Sequence, residues 1–183
     1  MKKIFIYSST DGQTQKICEV LKGKDKESII DSIDNINVNN LNNFDHIILG
    51  ASVRYGEHQK KLYEFVINNK SLLESKKTAF FSVNATARKF NKNSPSTNPY
   101  IIKFIRKTNW TPDVITVFAG KIDYLNYNFF DKNIIKLIMW ITNGPTDTSK
   151  CHEFTNWEKV EAFSKEIEFF NPKMHLELSL IHI

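Results

Sequence analysis

Short apolar runs alternate with amphipathic segments along the first part of the chain. Four of these runs have the length and composition of buried strands, at 3–7, 45–52, 77–83 and 114–120. Between the runs, apolar residues at spacings of three and four predict helices over 15–22, 58–68 and 95–107. Strands that alternate with helices are typical of an α/β protein with a doubly wound parallel sheet.

A weaker apolar run at 27–33 predicts a further, short strand. The Asn-rich stretch that follows it, 34–43, predicts a loop with at most one turn of helix. The connection between the second and third strands is therefore expected to be shorter than a full helical crossover.

A short polar segment follows each of three strands, at 9–14, 52–56 and 83–88. In an open parallel sheet, ligands bind beyond the carboxyl ends of the strands, at the point where the strand order reverses. These three segments are therefore expected to meet in one crevice.

The first polar segment, Ser9 to Thr14, joins a strand to a helix and has a glycine at its bend. Hydroxyls and backbone N–H groups at a helix N-terminus favour an anion such as phosphate, as does the helix dipole. An ordinary turn with a Ser or Thr cap would have a similar sequence. The expected convergence of three loops favours a phosphate-binding loop over the ordinary turn.

The segment 121–150 departs from this alternation. A helix over 127–142 would be apolar around most of its circumference, with a narrow basic stripe that includes Lys132 and Lys136. One interpretation is a helix that covers the core and extends its lysines to solvent. The other is an interfacial helix that contacts lipid or a hydrophobic ligand, since it is too short and too charged to span a bilayer.

The last helix is predicted over 156–170, with Thr155 as its N-cap. Its apolar face consists of Trp157, Val160, Phe163, Ile167 and Phe170. We expect a single domain over 1–171 that contains the insert at about 121–150, followed by a tail at 172–183.

Composition narrows the location and the partners. The net charge of +5 favours anionic partners, which include nucleic acid, an acidic membrane surface and a small polyanionic substrate, and charge alone does not choose among them. Cys18 and Cys151 lack disulfide or zinc spacing, and the N-terminal residues have no signal-peptide pattern, so a cytoplasmic setting is expected. The five histidines are scattered, and the sequence contains no recognisable catalytic triad or metal-binding cluster.

Several stretches together resemble one family. Residues 9–14 resemble the phosphate loop of flavodoxin-like proteins. The chain from about 3 to 170 is similar to the menaquinone-dependent protoporphyrinogen dehydrogenases, short flavodoxin-like enzymes of bacterial haem synthesis. The matching stretches are 50–56, 81–84, 87–89, 97–98, 110–113, 135–139 and 146–148.

The resemblance implies a flavodoxin-like five-stranded sheet in the order 2-1-3-4-5, an apolar helical insert after the last strand, and FMN as the cofactor. The FMN phosphate would be held by Ser9, Thr10, Asp11, Gly12, Gln13 and Thr14. The isoalloxazine ring would be flanked by Ser52, Val53, Arg54, Tyr55, Gly56, Val83, Asn84, Ala85, Thr86, Ala87 and Arg88. Asp11 stands where flavodoxins usually have a threonine, and its carboxylate would repel a phosphate unless it turned back to cap backbone amides. The backbone N–H groups, Thr10 and Thr14 would therefore carry more of the binding.

The resemblance also implies a reaction, the oxidation of protoporphyrinogen IX to protoporphyrin IX with electrons passed to menaquinone or a related quinone. Because N5 of FMN would accept the hydride, no catalytic side chain is expected. The candidates for binding the substrate carboxylates are Arg88, Lys89, Lys132 and Lys136. The insert would hold the protein, as a peripheral protein, at the inner face of the cytoplasmic membrane. No nucleic-acid partner is expected, and a homo-oligomer is left open.

Two other functions are compatible with the same fold. An electron-carrying flavodoxin would bind FMN without turning over a substrate, although such carriers are usually acidic and have no use for an apolar helix. An NAD(P)H-dependent quinone reductase would suit the basic charge, because its dinucleotide is anionic.

Overall fold

Eight strands and six helices lie in residues 1–169, the part of the chain that this computed structural model describes. The strands are β1 (Lys3–Ser8), β2 (Ile29–Ser32), β3 (His46–Arg54), β4 (Glu57–His58), β5 (Lys77–Val83), β6 (Val114–Phe118), β7 (Lys121–Asp123) and β8 (Cys151–Glu153). The helices are α1 (Gln13–Lys22), α2 (Lys60–Asn68), α3 (Lys70–Glu74), α4 (Pro99–Thr108), α5 (Phe129–Ile141) and α6 (Trp157–Phe169). Short 3₁₀ turns lie at Val38–Asn43, Ala85–Arg88 and Phe90–Lys92.

Five parallel strands form the central sheet in the order β2-β1-β3-β5-β6. This arrangement confirms the predicted α/β class and the predicted order of the five main strands. The register places Ser8 beside Ala51 and Ser52 beside Val83, so the carboxyl ends of β1, β3 and β5 lie next to one another. The three polar segments of the sequence begin at this edge.

Helices cover both faces of the sheet, which explains why its central strands are apolar at almost every position. Phe80 and Phe81 are neighbours in β5 and point to opposite faces. Phe80 stacks on Phe104 of α4, with ring centroids 4.4 Å apart, whereas Phe81 contacts Phe163 of α6. The sheet is therefore packed between α4 on one side and α6 on the other.

The end of β3 differs from the prediction. Val53 and Arg54 were expected in a turn but continue the strand, because β4 folds back and pairs Val53 with His58. His58 therefore belongs to a strand, and α2 begins only at Lys60. A two-residue strand has no periodicity that a sequence pattern would reveal.

Two predicted helix starts are also wrong. α4 begins after Asn98 rather than at 95, because the Asn98 side chain accepts the N–H of Tyr100 and caps the helix. The cap of α6 is Asn156, whose side chain accepts a backbone N–H in the first turn. Thr155, the predicted cap, instead donates its hydroxyl to a backbone carbonyl after β6.

The insert contains α5, as predicted, and β7, which pairs with β8 just beyond the insert in a two-stranded antiparallel ribbon that was not predicted. α5 packs through Met139 on a small cluster that includes Ile122 and Tyr124. Within residues 1–169, no helix is both long enough and apolar enough to cross a bilayer. Phe170 and the predicted tail at 172–183 lie outside the described residues.

Candidate functional site

An open cleft lies at the carboxyl edge of the sheet, between the three polar segments and α5. The predicted site residues that line it are Ser9, Asp11, Gln13, Thr14, Ser52, Val53, Arg54, Tyr55, Gly56, Val83, Asn84, Ala85, Thr86 and Arg88. Further lining residues, not assigned from the sequence, are Tyr100, Gly120, Lys121, Ile122, Tyr127, Ile135, Ile138, Met139 and Thr142. Most of these belong to β7 and the insert, which only the fold brings to the loops.

Six of the predicted site residues are not among the described residues that line the cleft: Thr10, Gly12, Ala87, Lys89, Lys132 and Lys136. Gly12 is the N-cap of α1, and Ala87 is buried in the core beneath the third loop. Thr10 and Lys136 are exposed, whereas Lys89 and Lys132 are partly exposed. The assignment of the lysines to the substrate stays a prediction.

Three buried hydroxyls in the cleft lining suit an anion. The hydroxyl oxygens of Ser9, Thr14 and Ser52 have no hydrogen-bond partner among the described residues. Gly12, at φ +77°, turns the chain into α1, and no side chain caps the first N–H groups of that helix. Buried hydroxyls and uncapped N–H groups both require partners, so this end of the cleft fits a phosphate.

The Asp11 carboxylate points towards two side chains and does not cap backbone amides. It accepts from Arg54 Nη1 at 2.8 Å and from the Tyr127 hydroxyl at 3.2 Å. An ion pair with a guanidinium is stronger than a neutral amide contact, which explains the direction of the side chain. Burial, together with the Asp11 carboxylate, raises the pKa of Tyr127. Arg54 thus offsets the charge that Asp11 brings to the first loop.

A buried polar network fixes the third loop from below. Asn84 accepts the N–H of Ala87 at 3.0 Å through Oδ1 and donates from Nδ2 to Ser82 Oγ at 3.1 Å. His58 Nε2 lies 2.9 Å from the same Ser82 oxygen. Asn98, fully buried, donates from Nδ2 to Asn84 Oδ1 at 3.3 Å.

Sequence reasoning missed His58 and Ser82, because nothing in the local pattern of either residue indicates a long-range contact. Burial lowers the pKa of His58 to about 3, so this side chain is neutral and serves the network as a hydrogen-bonding group. The signal that the sequence does carry is Asn84 itself, a residue type that commonly accepts backbone N–H groups at the start of a helical turn.

Arg88 holds its position in the cleft through uncharged partners. It donates to the Ala85 carbonyl at 2.8 Å and to both the carbonyl and the hydroxyl oxygen of Thr142 at 3.0 Å. Within residues 1–169 it has no carboxylate partner, so its positive charge is not compensated by an ion pair. Burial lowers its pKa, but a guanidinium stays charged near neutral pH.

The inner side of α5 supplies an apolar wall to the cleft, formed by Ile135, Ile138 and Met139. Met139 is the only buried residue of α5, all of which lies in the described part of the chain. The helix therefore covers only a small cluster with Ile122 and Tyr124 and leaves most of its apolar surface exposed, which favours the second of the two interpretations of the insert. The large apolar side chains that α5 leaves exposed are Phe129, Phe130, Ile134, Leu137, Ile138, Trp140 and Ile141.

A parallel sheet in this order, with an anion-suited loop before the first helix, defines a protein of the flavodoxin type. The model of the family described as "Flavodoxin domain" matches residues 4–149. A flavodoxin from Megasphaera elsdenii, solved in its two-electron reduced state, aligns with a TM-score of 0.49 at 16% identity. That alignment covers 65% of this chain and 85% of the other.

Relatives with higher identity are found among named enzymes. The chain is 39% identical over 182 residues to protoporphyrinogen IX dehydrogenase (quinone) of Escherichia coli strain K12, covering 97% of this chain and 100% of the relative. It is 37% identical over 170 residues to the enzyme of the same name from Leishmania major, covering 90% of this chain and 74% of the relative. The chain therefore belongs to the flavodoxin domain family and, within it, to the group of the quinone-dependent protoporphyrinogen IX dehydrogenases.

Proposed function

We propose that this protein is an FMN-dependent enzyme that oxidises protoporphyrinogen IX to protoporphyrin IX and passes the electrons to a quinone. The names of the relatives from Escherichia coli and Leishmania major describe this substrate and acceptor. The observation that carries the proposal is one cleft in which unpaired hydroxyls at the start of α1 lie opposite an apolar wall from α5.

The phosphate of FMN would be bound by the hydroxyls of Ser9 and Thr14 and by the first N–H groups of α1. Arg54 lies close enough to neutralise part of the Asp11 charge, which would otherwise repel the phosphate. The flat ring system would lie between the second and third loops, where Ser52 offers an unpaired hydroxyl. When bound, FMN supplies the two-electron acceptor, and the protein supplies binding and orientation.

Protoporphyrinogen requires a wide apolar surface and a cation for its propionate groups. Ile135, Ile138 and Met139 offer such a surface and exclude water from the same side of the cleft. Arg88 is the cation best suited to a propionate, because it borders the cleft and has no carboxylate partner in the described structure. Full aromatisation of the macrocycle removes six electrons, so a two-electron site has to act three times for each porphyrin.

The outer side of α5 is proposed to dock on an anionic membrane surface. Phe129 and Phe130 are each 76% exposed and Trp140 is 70% exposed, which is unusual for side chains of this size. Lys132 and Lys136 lie on the same helix, and the chain has a net charge of +5, so a bilayer with anionic lipids is the favoured partner for this apolar surface. This docking would bring the cleft to the layer that dissolves menaquinone, the acceptor we favour.

Anaerobic turnover tests the proposal. We expect purified protein with FMN to form fluorescent protoporphyrin from protoporphyrinogen IX only when a menaquinone analogue is present, at a rate that rises with the quinone concentration. Exclusion of oxygen suppresses the uncatalysed reaction, and an assay without protein measures what remains of it. Rapid quinone reduction with NADPH, and none with the porphyrinogen, would contradict the proposal and favour a quinone reductase.

A further inference from the structure

The N-terminal end of α5 is tied to the flavin loops by one guanidinium. Arg54 donates from Nη1 to Asp11 at 2.8 Å and from Nη2 to Asp131 at 2.6 Å. Asp11 belongs to the loop after β1, and Asp131 to the first turn of α5. The Tyr55 hydroxyl also donates to Asp131. A single side chain at the end of β3 thus joins the first loop to the insert.

The C-terminal end of α5 is tied to the third loop by a second guanidinium. Arg88 Nη2 donates to the carbonyl oxygen and the hydroxyl of Thr142, the C-cap of α5, both at 3.0 Å. A positive charge at the C-terminal end of a helix also interacts favourably with the helix dipole. The guanidinium passes close to Gly144, where a Cβ would lie 2.7 Å from Arg88 Nη2.

Among the described residues, the other contacts that hold α5 to the protein are the Tyr55–Asp131 hydrogen bond and the packing of Met139 and Ile135 on the cluster of Ile122 and Tyr124. Met139 is its only buried residue, and most of its large apolar side chains face outward. The two arginines are therefore a large part of what determines its position. They come from the two loops that are proposed to flank the flavin ring, at the ends of β3 and β5.

We propose that Arg54 and Arg88 are positioning residues that fix the two ends of α5 over the cleft and couple the order of the insert to the order of the flavin loops. The proposal rests on the proposed function only for the identity of the ligand. Coupling of this kind is reciprocal, so a ligand that orders the loops also orders α5, and loss of either arginine frees its own end of the helix.

Hydrogen exchange measured by mass spectrometry, on the full chain with and without FMN, tests the proposal. In Arg54→Gln we expect exchange to rise about tenfold in the first half of α5, and in Arg88→Gln in the second half and Thr142, with the amides of β3 and β5 unchanged. Arg106→Gln, at an exposed position in the last turn of α4, is the matched control and is expected to leave α5 unchanged. In the unaltered protein, FMN is expected to slow exchange in α5.

Two further variants separate positioning from general stability. Arg54→Lys keeps the charge but not the two-pronged geometry, so it is expected to restore only part of the protection. Arg54→Gln combined with Asp131→Asn is expected to exchange little faster than Arg54→Gln alone, because the Arg54–Asp131 ion pair is already lost and an asparagine oxygen can still accept from the Tyr55 hydroxyl. Uniform acceleration throughout the chain, or unchanged exchange in α5, would overturn the proposal.

The proposed function and this inference can fail separately. Hydrogen exchange of the variants without FMN involves neither porphyrinogen nor quinone. Faster exchange confined to one end of α5 would therefore support the positioning roles of Arg54 and Arg88 even if the protein turned over neither compound. Failure of FMN to bind would contradict the proposed function. Binding of FMN without slower exchange in α5 would overturn the coupling while leaving the function in place.

Discussion

Asn98 donates from Nδ2 to Oδ1 of Asn84 at 3.3 Å, which joins the start of α4 to the third loop of the cleft. Asn98 is fully buried, also donates to the Lys92 carbonyl at 2.9 Å, and caps α4. Its side chain therefore stabilises a helix terminus and a site loop at once.

Removal of this side chain is expected to be costly. Asn98→Ala removes a helix cap, one hydrogen bond of the buried Asn84 and the partner of the Lys92 carbonyl, so we expect a loss of about 2–3 kcal/mol in the free energy of unfolding. Urea unfolding measures this loss. Asn68→Ala, at an exposed position at the end of α2, is the control and is expected to change the free energy by less than about 0.5 kcal/mol. Equal, small effects of both substitutions would contradict the role given to the network.

His58 is expected to make stability depend on pH. Its pKa falls from 6.5 to about 3 on burial, so below about pH 6.5 the unfolded chain takes up a proton that the folded chain does not. The free energy of unfolding is then lost as the pH falls from 6.5 towards 3, by at most about 1.4 kcal/mol per pH unit from this group. The readout is the difference in slope between the unaltered protein and His58→Gln, which lacks this contribution. Identical slopes in the two proteins would show that His58 is not held neutral.

The left-handed residue at the start of α1 is expected to be essential for the flavin. Gly12 has φ +77°, which a β-branched side chain adopts only with strain, so Gly12→Val is expected to distort the phosphate loop and lose FMN. Gly23→Val is a matched control, because Gly23 also has a positive φ but follows the other end of the same helix. We expect it to lower stability and retain FMN. Titration of the apoprotein by flavin fluorescence measures both, and normal FMN affinity in Gly12→Val would refute the phosphate assignment.

The outer side of α5 is expected to govern membrane binding. Replacement of Phe130, Leu137 and Ile141 by serine removes exposed apolar side chains without touching the cleft lining, so co-sedimentation with anionic vesicles is expected to fall at least about tenfold. Ile67→Ser, at a comparably exposed position on α2, is expected to leave it unchanged. Sedimentation of the triple variant at the level of the unaltered protein would contradict membrane docking, and a change in solution mass would identify the face as a contact between copies.

The sheet was predictable because each main strand is a local apolar run, bounded by polar segments, that alternates with an amphipathic helix. The ion pairs of Arg54 could not be predicted, because Asp11 and Asp131 lie 43 and 77 positions away in the chain and no local pattern links them to Arg54. The α6 cap was assigned to the wrong residue because Thr155 and Asn156 are adjacent and both are favoured cap types. Local apolar patterns therefore predicted the main strands and helices. The side-chain contacts that orient the cleft could not be predicted, because they depend on the folded topology.

The central claim is that protoporphyrinogen IX delivers its electrons to a flavin bound in this cleft. The most direct measurement is anaerobic mixing of FMN-loaded protein with protoporphyrinogen IX while the absorbance of oxidised flavin near 450 nm is followed. We expect the porphyrinogen to bleach the flavin band, NADPH to bleach it little or not at all, and a menaquinone analogue to restore it. A flavin that stays oxidised in the presence of protoporphyrinogen IX would contradict this claim.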